Sequence, residues 1–157
     1  MPGPWRIRIL AVVASTAVLA AGCSRSEPEE TPEACLAGSD AYLRALAAAP
    51  GEVRLAGDTP ISGCLVPEQE GADLARVGQE MIKAATDLNA AARQDPTGPA
   101  SVQLGYLIGA VERGAEGIHT DLKRRLSSAA RFSPGGLLPA EFERTFGRGY
   151  SAGLESG

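Results

Sequence analysis

The chain has 157 residues with 15 basic and 19 acidic side chains, a formal charge of −4, and an apolar share of 44% although aromatic residues make up only 4%. Such a length holds one modest domain at most, and the acidic balance excludes a protein built to grip nucleic-acid phosphates. A core so poor in rings must be assembled from many small contacts, which favours closely packed helices.

At the N-terminus, Trp5-Arg6-Ile7-Arg8 supplies positive charge and Ile9 to Ala21 forms an uncharged apolar run. The run has the length of an export signal and falls well short of the ~20 residues a membrane-spanning helix needs. It closes on Leu19-Ala20-Ala21-Gly22-Cys23, small residues directly before a cysteine. This pattern resembles the lipobox of bacterial lipoprotein precursors. The resemblance implies cleavage between Gly22 and Cys23, alkylation of the Cys23 thiol by a diacylglycerol, and attachment to a cell membrane on its extracytoplasmic face. Acyl chains contributing ~0.8 kcal/mol per buried methylene would hold such a protein at the bilayer essentially permanently. Loss of Arg6 and Arg8 with the signal leaves 13 basic residues against 19 acidic ones, a formal −6.

The expected organisation is therefore a signal peptide over 1–22, a lipidated cysteine and flexible tether over 23–32, and a helical domain over 33–157. Residues 24–32 carry Arg25, Glu27, Glu29 and Glu30 with Pro28 and Pro32 and no large apolar side chain, the composition of a solvated linker. With Cys23 consumed by lipid, Cys35 and Cys64 remain as a pair, and an oxidising compartment makes a disulfide their expected state. A redox pair or a metal site that adds His119 are the alternatives, although no Cys-x-x-Cys spacing supports them.

A first helix is expected over Glu33–Ala49, with Thr31 as its N-cap and Pro50-Gly51 as its end. Residues 51–67, punctuated by Gly57, Pro60, Gly63 and Pro67, read as an irregular connection. Glu68–Gln94 has the clearest helical period, with Leu74, Val77, Met81, Ala84, Leu88 and Ala91 on one face. A long helix over Ala100–Ala130 follows, its stripe formed by Leu104, Ile108, Val111, Ala115, Ile118, Leu122 and Leu126. After a turn at Ser133-Pro134-Gly135-Gly136, a last helix over Pro139–Leu154 spaces Phe142, Phe146, Tyr150 and Leu154 four apart. The fold class expected is all-α, an up-down four-helix bundle with one disulfide.

Three sets of residues are candidates for function. Glu112, Glu116 and His119 would share one face of the long helix, with Glu116-x-x-His119 at the spacing used by carboxylate-bridged metal sites. A dinuclear centre needs a second such step, and the chain has a single histidine. Lys123, Arg124 and Arg125, with Arg131 beyond, would complement a helix C-terminus or form an anion-binding patch for headgroups or polyanions. Gly105 and Gly109 form a Gly-x-x-x-Gly that marks either a backbone-lined cleft or close approach of the Ala-rich second helix. No catalytic motif is present, so the sequence points to a non-catalytic binding or scaffolding domain without cofactor or nucleic acid, its partner an envelope protein or a small ligand. An envelope enzyme or single-metal protein using Glu112, Glu116 and His119 is the other reading, and binding of anionic lipid or polyanion through Lys123–Arg125 is a third.

Overall fold

The computed structural model describes residues 30–131 and 138–157. The signal, Gly22 and Cys23, the tether up to Glu29 and the turn at Ser133–Gly136 lie outside the described residues. Within them the fold is all-α: a 3-10 turn at Glu33–Leu36, then α1 (Ser39–Leu46), 3-10 turns at Ala56–Asp58 and Ile61–Cys64, α2 (Gly71–Gln94), α3 (Pro99–Gly114), a 3-10 turn at Gly117–His119, α4 (Thr120–Ala129) and α5 (Ala140–Ser156). A disulfide joins Cys35 to Cys64.

The expected first helix breaks in two. Cys35, in the opening 3-10 turn, is tied to Cys64, and Gly38 adopts φ 94°, a backbone conformation that a side chain resists. The helix restarts at Ser39, whose N–H donates to Glu80 of α2 at 2.8 Å. Its starting donor is thus satisfied from another helix and not by a local cap. Thr31 is buried and accepts a hydrogen bond from Gln69, so it does not serve as the N-cap expected of it. Tyr42, fully buried on α1, donates its hydroxyl to the carbonyl of Cys35. Burial and the nearby Glu80 carboxylate push its phenol above the usual tyrosine range.

The long third helix is also two. At Gly114, a Cβ would stand 2.5 Å from the carbonyl oxygen of Ser62, so α3 ends where the Ile61–Cys64 turn crosses it at backbone distance. Ala115 and Glu116 are extended, and Gly117–His119 begins the next helix. The apolar period runs unbroken across the interruption, which is why periodicity alone reads a single helix there.

Helix directions follow from the contacts. The connection over 95–98 turns the chain back between α2 and α3. Gly78 of α2 faces Leu122, near the start of α4, while Asn89 donates to the carbonyls of Ala129 and Arg131 at its end, so α2 and α4 run parallel. Along α3 and α5 the pairs Val102–Gly149, Tyr106–Gly153 and Ala110–Gly157 advance together, so these two are parallel as well. Helices α2 to α5 therefore alternate up and down. At the centre lies α3, with Leu104, Tyr106, Leu107, Ala110 and Val111 buried, touching α2, α4, α5 and the Ile61–Cys64 turn. By contrast, α5 packs on the body chiefly through α3.

Candidate functional site

The α3–α5 seam fixes the geometry of everything near it. A Cβ at Gly105 would lie 2.1 Å from the carbonyl oxygen of Phe146, and one at Gly109 would lie 2.2 Å from that of Tyr150. From the other side, Gly149 and Gly153 come equally close to the carbonyl oxygens of Val102 and Tyr106, at 1.9 and 2.2 Å. These separations exclude any side chain and bring the two backbones into direct contact, the arrangement in which Cα–H groups meet carbonyl oxygens across small-x-x-x-small faces. The glycine stripe of α3 thus serves packing, but its partner is α5 and not the Ala-rich α2. Gly149-x-x-x-Gly153 was the legible signal for that pairing.

Beside the seam lies an apolar groove of about 500 Å³, lined by Ile108 of α3, Ser127 of α4, Ala130 just after it, Arg131, Leu138, and Phe142 and Phe146 of α5, with Glu143 at its rim. Phe142 and Phe146 pack with ring centroids 5.5 Å apart, and Phe146 stacks on Tyr150 at 6.3 Å. Because glycines bring α5 against α3, the aromatic side chains stand beside the seam: Phe142 enters the core, while Phe146 and Tyr150 stay half-buried. Size and lining are those of a small-ligand site, mostly apolar with a few polar groups at the edge. The aromatic stripe read from sequence therefore lines the groove at Phe142, which is also buried, and at Phe146, while Tyr150 beyond them is half-buried and outside the groove lining. Arg131 and Leu138 border residues 132–137, which lie outside the described residues.

The trio Glu112, Glu116 and His119 does not share a helical face, because α3 stops between the first and the other two. Glu112 pairs with Lys123 at 2.5 Å. Glu116 caps the next turn: its side chain accepts from the His119 backbone, while its own N–H donates to Nδ1 of His119 at 3.1 Å. His119 is fully buried, and its Nε2 faces Oε1 of Gln69 at 3.4 Å. An Nδ1 that accepts requires the neutral tautomer with hydrogen on Nε2. Burial lowers the pKa of His119, the Glu116 carboxylate opposing the shift. Gln69 extends the chain, its amide nitrogen donating to Thr31 Oγ1 at 2.9 Å and to the Cys64 carbonyl at 3.1 Å. Both ring nitrogens of His119 are thus engaged in a buried network. Among the described residues no group of three or more His, Cys, Asp or Glu is placed to hold a metal ion.

The basic residues are dispersed in role. Lys123 is paired with Glu112 and Arg124 with Asp121. Arg125 borders a shallow pocket with Leu74, Ile118 and Asp121, and Arg131 reaches the apolar groove. Since α4 ends at Ala129, Lys123 to Arg125 sit mid-helix, and no basic side chain occupies the last turn. The expected match to the helix dipole is not made. Its C-terminal carbonyls are met instead by Asn89, and Arg93 donates to the Arg131 carbonyl at 2.9 Å. No protein-family model, curated protein or solved structure matches this chain.

Proposed function

We propose that this protein is a membrane-anchored lipoprotein whose helical domain binds an apolar ligand, with no catalytic role, in the groove between α3, α4 and α5. The groove carries this reading: apolar walls from Ile108, Ala130, Leu138, Phe142 and Phe146, with Arg131 and Glu143 as polar markers at the edge. The anchoring half rests on the sequence before Cys23. Pairing of Cys35 with Cys64 supports it, since it leaves Cys23 as the cysteine outside that bond, and a disulfide suits an oxidising compartment. No helix among the described residues is long and apolar enough to cross a membrane. Lys123 and Arg124, already paired, give less support to binding of anionic headgroups.

One experiment with two arms tests the reading. Cells expressing the full chain are fed an alkyne-tagged fatty acid, and the purified protein is then titrated with an apolar fluorescent dye. The expected result is acyl label on the natural chain and none on Cys23→Ser, with dye affinity falling at least about tenfold, roughly 1.4 kcal/mol, when Ala130→Phe fills the groove. Unlabelled natural protein sinks the anchor, and unchanged dye binding by the filled variant sinks the groove.

A further inference from the structure

Two exposed apolar side chains mark the same end of the bundle. Ile118, 47% exposed, sits in the turn that follows α3. Leu154, 39% exposed, lies in the last turns of α5, and its carbonyl accepts from Arg113 at the C-terminal end of α3. Thr31, where the tether joins the domain, is held at this end by Gln69, just before α2 begins, and Gln69 in turn meets His119, the neighbour of Ile118. A third exposed apolar residue, Leu138, 41% exposed, precedes α5 at the opposite end.

Chain length decides which end can reach a bilayer. Eight residue steps separate Cys23 from Thr31 and span at most about 29 Å. The 24 residues of α2 measure about 36 Å along its axis. An inverted domain, with Leu138 on the bilayer, would need a tether longer than the chain provides. We propose that the end carrying Thr31, Ile118 and Leu154 rests on the membrane that holds the anchor, the Ile118 and Leu154 side chains entering its interfacial layer and the groove opening at the far end. The proposal rests on Cys23 being lipidated.

Charge narrows the kind of surface. Glu30, Glu33, Glu68, Glu70, Glu116, Asp121 and Glu155 are exposed at this end against Arg76, Arg113, Arg124 and Arg125. The excess of carboxylates disfavours an anionic leaflet, so the matching partner is a zwitterionic lipid surface.

Trp5 is the chain's single tryptophan and leaves with the signal, so an introduced tryptophan reports alone. The acylated full-length products of Ile118→Trp, Leu154→Trp and Leu138→Trp are reconstituted into phosphatidylcholine vesicles, with and without bromine on the acyl chains. Tryptophan at 118 and 154 is expected to be blue-shifted and quenched by bromine several-fold more than tryptophan at 138, and admixture of phosphatidylglycerol to weaken that quenching. Equal or stronger quenching at 138, or none at any position, overturns the proposal while the anchor stands. Failure of the natural chain to float with vesicles overturns the anchor, and the proposal with it.

Discussion

Two regions of this molecule are held together by opposite means. Around α1, the chain is short-helical and irregular, and it is secured by the Cys35–Cys64 bond together with buried polar contacts from Tyr42, Glu80 and Gln69. At the other end of the sequence, α5 has no covalent tie and meets the body chiefly through α3, glycine against backbone, finished by Arg113 on the Leu154 and Glu155 carbonyls and by Ser62 on the Gly157 carbonyl. The first region tolerates poor secondary structure because a staple limits its unfolded ensemble. The second needs no staple because its surfaces fit along about three turns of α5, from Phe146 to Gly157.

Breaking each device separately tests the contrast. The largest loss is expected from replacing Cys35 and Cys64 with serine, about 3.5 kcal/mol in the chain-entropy account for a separation of 29 residues, read as a lower urea midpoint. Hydrogen exchange should place the loosening in α1 and the Ile61–Cys64 turn first. Gly149→Ala is expected to cost about 3 kcal/mol, since the added carbon would stand 1.9 Å from the Val102 carbonyl oxygen and the helices must part. Gly147→Ala, two residues away with nothing within 4 Å of the new carbon, is expected to gain about 0.5–1 kcal/mol from helix propensity. Equal effects of the two alanines would remove the seam from the account.

A smaller effect sharpens the polar side of the comparison. Burial lowers the folded-state pKa of His119, so the unfolded chain takes up its proton first as pH falls. The contribution of the neutral imidazole is complete above pH ~6.5, the unfolded value, and diminishes as pH drops towards the folded one, by no more than about 1.4 kcal/mol per pH unit. His119→Asn keeps an acceptor for the Glu116 N–H but cannot titrate. Its urea midpoint should lose that part of the pH dependence, and an unchanged profile would assign the dependence to other groups.

How much the sequence discloses differs by region. The end of α2 and the start of α5 are legible, because the apolar period of the first stops at Asp95-Pro96 and that of the second opens after Pro139. The split between α3 and α4 is not, since Leu104 to Leu126 keep their spacing through it while Gly114 responds to the crossing Ser62, a contact between segments far apart in the chain. The same applies to His119. Its spacing from Glu116 suits a metal-bearing helix face, yet in a capping turn that spacing brings the imidazole back to the Glu116 N–H. Of the groove, the aromatic side chains of α5 are visible as a stripe, whereas its opposite wall at Ile108 and Ala130 depends on helix directions that only the folded backbone sets.

Parallel alignment of α3 with α5 also makes their pairing non-local. The residues that meet across the seam lie on the order of 50 positions apart, and neither helix offers its partner a local hairpin, so docking must wait for α4 to bring the chain back. Before that moment α3 presents a bare groove of glycine and carbonyl oxygen, open to any other helix that carries small residues at every fourth place. The last helix is thus the segment that covers this surface in the folded chain.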